Sequence, residues 1–217
     1  MERSPLAIEA GESLTQRMIM TPNPTPPEWA ERVLQAFLSS SAFESVSGDL
    51  LEEYRDSVFP SRGRRGAQVW YISQVIGYAW RSAGVWAALF AVSFLIRTAM
   101  DWRSPTTEFH MRSTVSTSIA LGIFLLVGFW AGSRTGSIKA AVIVGTVTAS
   151  LAVPLQLIGA ALLTAAWHDP VTLSAIRESG GLGEVFSLPF FTVIPCVLVS
   201  ALGGLVGAML NPPKLAR

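Results

Sequence analysis

The chain has 217 residues, half of them hydrophobic and 14% charged, with a mean hydropathy of +0.44. An ordinary soluble domain carries about a quarter charged residues, so this composition excludes a conventional soluble enzyme, a disordered chain and a fibrous repeat. Sixteen basic residues nearly balance fifteen acidic ones, which leaves no global field to recruit nucleic acid.

In chain order, residues 1–25 are polar and contain Pro22 and Pro24, with no apolar core of a secretory signal. They read as a disordered tail, with Met18 and Met20 as alternative starts. Pro27 with Glu28 opens a helix well, because proline suits the first turn and an acid suits the positive dipole end. Trp29, Val33, Ala36 and Phe37 then recur at helical spacing to about Leu38. Ser39-Ser40-Ser41 breaks this helix and offers a cap for a second, from about Ala42 to Val58. In that helix Phe43, Val46, Leu50, Tyr54 and Val58 make one apolar stripe. Pro60 and Gly63 mark a turn, and a third helix from about Arg65 to Trp80 leads almost without pause into the membrane part.

The order PPEWAERVLQAFL, SGDLLEEYRD, a basic turn and AQVWYISQVIGYAWR resembles the permease prefix domain, which precedes the membrane part of certain bacterial ABC transporter permeases related to macrolide exporters. The best matches are Gly48, Asp49, Leu50, Glu52, Glu53, Tyr54 and Arg55, then Trp70, Tyr71 and Gln74. The similarity covers residues 26–81 and implies a cytoplasmic helical module with a transport association. Residues 82–217 depart from those permeases: the large periplasmic domain is missing and the chain is short for a full permease.

Four apolar segments reach the roughly 20 residues a helix needs to cross a bilayer. They run over about 83–100, 115–132, 140–167 and 186–210. Pro154 in the third predicts a tilt or kink, and Pro189 and Pro195 lie in the first half of the fourth. Arg62, Arg64, Arg65, Arg81, Arg134, Lys139, Lys214 and Arg217 flank one side, against Arg97, Arg103, Arg112 and Arg177 on the other. This two-to-one bias predicts that both termini are cytoplasmic, and the resemblance to bacterial permeases implies the bacterial inner membrane. Trp80, Trp86, Trp102, Trp130 and Trp167 fall near span ends, where indoles seek the interface, and the loop 168–185 with Asp169, Glu178 and Glu184 faces outward.

Asp49, Glu52, Glu53 and Asp56 sit three and four residues apart, a spacing that suits a divalent cation or a basic partner but more often marks a solvated face. Asp49, Glu52, Glu53 and Arg55 are therefore the candidate partner-binding residues. Arg62, Arg64 and Arg65, with the Trp70-Tyr71 helix beside them, suit anionic headgroups. Within the spans no Asp, Glu, Lys or His lies near the middle, and Arg97 is close enough to an end to snorkel. Ion-coupled carriers usually keep an ionisable group at depth, so this pattern disfavours one. Gln156 beside Pro154 makes the third span the most polar and marks a candidate substrate path, against the plainer reading of interhelical hydrogen bonding. Gly203 and Gly207, Ser200 with Gly204 and Ala208, and Ala141 with Gly145 and Ala149 are four apart, as in helix-packing seams.

His110 and His168 are isolated, Gly180-Gly181-Leu182-Gly183 lacks the lysine of a phosphate loop, and Cys196 reads as an inert buried thiol. No catalytic residue, metal or cofactor is expected. The resulting picture is all-α: a small cytoplasmic helical module over 26–81, followed by a four-helix transmembrane bundle. The expected role is a non-enzymatic accessory or regulatory component of transport, with an ABC permease or ATPase as partner. The alternative is a small transporter or channel working as a homo-oligomer.

Overall fold

The computed structural model describes residues 24–103, 109–166 and 181–210, and three single positions between 166 and 181. Readings that rest on 1–23, including Met18 and Met20, and on the side chains of His110, Trp167, His168, Asp169, Glu178, Glu184, Lys214 and Arg217, lie outside what is described. Among the described residues the chain is helical apart from short connections, with no strand. Four of its helices are long and apolar enough to cross a membrane.

Helix α1 spans Glu28–Phe37 and α2 Ser40–Glu53; a π-helical turn, Tyr54–Val58, leads into α3, Phe59–Arg103. Then come α4 (Phe109–Thr135), α5 (Ile138–Ala166), α6 (Gly181–Phe191) and α7 (Val193–Leu210). Pro27 is the N-cap of α1, with Glu28 and Glu31 in the first turn as the dipole prefers. Ser39 caps α2 in extended conformation but makes no side-chain cap hydrogen bond, its carbonyl instead accepting from the Phe43 amide at 2.8 Å. The expected turn appears at one residue: Gly63 has φ +65°, a left-handed conformation that only glycine adopts without strain. From residue 64 to Arg103 the helix is unbroken, about 60 Å long.

The module and the bundle are held differently. Ala30 and Leu34 of α1, Leu50, Tyr54 and Val58, and the Ala67, Tyr71 and Val75 stripe of α3 form a buried core. Burying each large apolar side chain away from water is worth about 1.5–3 kcal/mol. Lipid offers no such driving force between spans, which must gain stability from close packing. Glycine supplies that approach. A Cβ at Gly128 would collide with the Ser200 carbonyl, at Gly132 with the Gly204 carbonyl, at Gly203 with the Leu125 carbonyl and at Gly207 with the Phe129 carbonyl. Rising numbers on α4 meet rising numbers on α7, so these two spans run parallel. Gly145 and Ala141 of α5 face Ser200 and Gly204 in the opposite sense, so α5 is antiparallel to α7. The Ser200 hydroxyl donates to the Ala141 carbonyl at 2.9 Å across that contact.

Two proline effects differ. Helix α5 continues through Pro154, which is exposed on the outside of the bundle. The predicted fourth span instead divides at Thr192 into α6 and α7, because Pro195 cannot donate to the Phe191 carbonyl. Between α4 and α5 the connection is tight: Gly136, at φ +64°, ends α4 by donating its amide to the Gly132 carbonyl at 2.8 Å.

Module and bundle also meet. Ala36 and Phe37 at the end of α1 pack with Ala79 and Ala83 of α3, Val127 and Ala131 of α4, and Ala140, Ala141 and Val144 of α5. Because Ala79 is level with Ala140, at the start of α5, the part of α3 before Ala79 projects beyond the bundle. Arg64 stands about 22 Å further out along the helix axis.

Candidate functional site: the projecting module

The π-helical turn carries the first functional geometry. Its extra residue per turn lets Tyr54 point into the core while Arg55 turns back on the incoming chain. The Tyr54 hydroxyl donates to the Thr25 carbonyl and Arg55 Nε to the Pro24 carbonyl, both at 3.4 Å. Arg55, expected to contact a partner, is thus used to fasten the lead-in of this same chain. Asp49, Glu52, Glu53 and Asp56 are exposed, and among the described residues none of them makes an ion pair. They form an open acidic face.

The lipid-interface expectation needs correction. Tyr71 is completely buried, stacked edge-on against Tyr54 with ring centroids 5.9 Å apart, because it shares a helical face with Ala67 and Val75. Burial pushes its hydroxyl up to about 12, the Glu31 carboxylate adding to the shift; Ser47, which opposes it, lies outside hydrogen-bond geometry. Trp70 is half-buried beside it. The exposed apolar residues of this segment are Val69, Ile76 and Trp80. Arg62, Arg64 and Arg65 are exposed at the outer end of α3.

A cleft of about 700 Å³ lies where the module meets the bundle, walled by Leu38, Phe43 and Ile143 and rimmed by Arg32, Glu44 and Lys139. Arg32 is already paired with Glu28 at 3.2 Å, both side chains largely in water, an arrangement worth little.

Inside the bundle Gln156 and Pro154 point to opposite sides. Gln156 is fully buried and Pro154 exposed, as a two-residue step on a helix requires, so the two do not line one path. Neither the amide oxygen nor the nitrogen of Gln156 has a hydrogen-bond partner. Gly145, Gly203, Gly204 and Gly207 all sit at interhelical contacts within the chain. Gly128 and Gly132, the α4 half of the same seam, carry the same four-residue signal and escaped the sequence reading.

Sequence reasoning also missed Asp101. It is buried near the end of α3, 3.4 Å from Arg97 Nε and 3.6 Å from Arg112 Nη1 on α4. Arg97 is therefore held by a carboxylate rather than snorkelling alone. Arg97 and Asp101 are one helical turn apart, a legible pair; the approach of Arg112 is not local. Among the described residues no three His, Cys, Asp or Glu side chains converge as a metal site would require.

No family model, no curated protein and no solved structure matches this chain.

Proposed function

We propose that this multi-pass membrane protein is a non-enzymatic accessory or regulatory subunit of a membrane transport system, with its module acting as an adaptor. The observation that carries this reading is the projection of a packed module, fixed to the bundle through Phe37, whose exposed acidic face on α2 and exposed basic tip at Arg62–Arg65 make no ion pair among the described residues. Opposite charges on one rigid arm suit a protein partner with complementary patches better than a lipid surface, which would select a single sign. The motif order over 26–81 points to an ABC-type permease or its ATPase as that partner. Positive flanks on the module side support a cytoplasmic module and termini in a bacterial inner membrane.

A second reading has one observation in its favour. The unpartnered amide of Gln156 is what a small oligomeric carrier or channel would place along a path. The two are separated by a photo-crosslinker introduced at Glu52 and, separately, at Leu202, which is exposed on α7. The adaptor reading expects a heterologous adduct to a permease or ATPase from Glu52. Adducts only between copies of this chain, from Leu202, together with solute flux by the purified protein in liposomes, would overturn it.

A further inference from the structure

Helix α3 serves two cores, and they lie on opposite sides of it. Ala67, Tyr71 and Val75 turn toward α1 and α2, whereas Ala87, Phe94 and Thr98 are buried in the bundle. Five turns of an α-helix take about 18 residues. Val69, Ile76 and Trp80 therefore lie five turns before Ala87, Phe94 and Thr98, on the same face. Inside the bundle that face is covered. On the projecting arm it is bare, with Val69 68% exposed, Ile76 55% and Trp80 49%.

Lipid does not account for this stripe. The exposed residues of the span, Val85, Leu89, Val92 and Ile96, lie about half a turn round the helix from Val69, so lipid meets the other side of α3. Val69 also stands about 21 Å beyond Ala83 along the axis. An apolar stripe left bare on a projecting arm marks a protein contact. Its form suits a helix: three large apolar residues make one ridge on a straight rod, with the small Ser73 and Gly77 beside them. A Cβ at Gly77 would meet nothing within 4 Å, which leaves room for a second helix to come close.

The charges around the stripe have one sign. Arg65 lies one turn before Val69 and Arg81 follows Trp80, both exposed and without an ion pair among the described residues. Residues 57–100 contain no Asp or Glu, and neither do α4 and α5, which carry exposed Arg134 and Lys139 at the ends nearest the module. The acidic helix α2 packs on the opposite side of α3, against Tyr71. A second copy docked on this stripe in the same membrane would set Arg65 and Arg81 against their own counterparts at equal height, and like charges across an interface cost affinity.

We propose that Val69, Ile76 and Trp80 dock one amphipathic helix of the transport partner, its apolar edge along the stripe and its acidic residues against Arg65 and Arg81. This rests on the adaptor reading and gives the contact a place and a chemistry.

Photo-crosslinkers placed one at a time at Val69, Ile76 and Glu52 of the full chain in native membranes, with the joined peptides sequenced, test it. Val69 and Ile76 are expected to join one amphipathic helix of an ABC permease or ATPase in which Asp and Glu outnumber Lys and Arg. Arg65→Glu with Arg81→Glu should lower the yield at Ile76 about tenfold. Gly77→Leu, at a position with open space in this chain, should lower it as much and serves if the charge variants fail to fold. Adducts to a permease or ATPase from Glu52 alone would overturn the proposal and leave the adaptor reading standing; no adduct to another protein from any position would overturn both. Adducts from Val69 and Ile76 only to lipid, to a second copy, to another part of this chain or to a helix without an acidic surplus would equally overturn the proposal.

Discussion

A single amide in the bundle asks the sharpest question at the residue scale. Gln156 has no exposure and no hydrogen-bond partner, although a buried polar group left unsatisfied costs about 1–3 kcal/mol. If the bundle serves only as an anchor, Gln156→Leu should raise resistance to denaturant by about 1 kcal/mol or more, read from unfolding in detergent. A loss of stability would mean that the amide holds something in the membrane, and would move weight to the transport reading. Its burial could be suspected from a lone amide in an apolar span; its lack of a partner could not, because that depends on which faces of the neighbouring helices arrive there. Tyr71 teaches the converse. An aromatic beside a basic turn resembles an interfacial anchor, yet the alanine-spaced stripe at 67, 71, 75 and 79 packs inward, and alanines give too weak a hydrophobic signal to announce it.

Among the elements, the parallel pair α4 and α7 is the best-defined contact. Its glycines bring carbonyl oxygens of one helix against Cα atoms of the other, close enough for Cα–H···O contacts that add to the packing. Gly128→Val should cost about 3 kcal/mol or prevent assembly, whereas Gly77→Ala, where nothing lies within 4 Å of the added carbon, should be neutral or stabilising by up to about 1 kcal/mol. Unfolding of both variants in the same micelle makes the comparison; equal effects would refute the seam. The four-residue spacing of Gly203 and Gly207 was readable, as was that of Gly128 and Gly132. That they face each other was not, since spacing names a face of a helix and never its neighbour. The division at Thr192 followed from Pro195, yet Pro154 left α5 whole; proline position alone does not distinguish the two.

At the scale of the whole molecule, the four spans were legible because a bilayer fixes their length and apolarity in advance. The docking of the module was hidden, because Ala36 and Phe37 belong to a short amphipathic helix whose two buried faces look alike in sequence: Ala30 and Leu34 enter the module, Ala36 and Phe37 the bundle. Phe37→Ala should therefore remove about 3–5 kcal/mol from that junction. Limited proteolysis should then cut between Leu38 and Ser40 faster, while the unfolding of the bundle itself changes little. An unchanged cleavage rate would show that the module is held by α3 alone.

The unbroken course of α3 has a mechanical consequence. Held at Ala79 and Ala83 by α1, α4 and α5, and further along at Ala87 and Phe90 against Phe124, Ala149, Ala152 and Cys196, it runs about 22 Å outward to Arg64 and about 30 Å the other way to Arg103. A sideways push on the charged tip is therefore borne by packed side chains at Ala83, Ala87 and Phe90 rather than by a flexible joint.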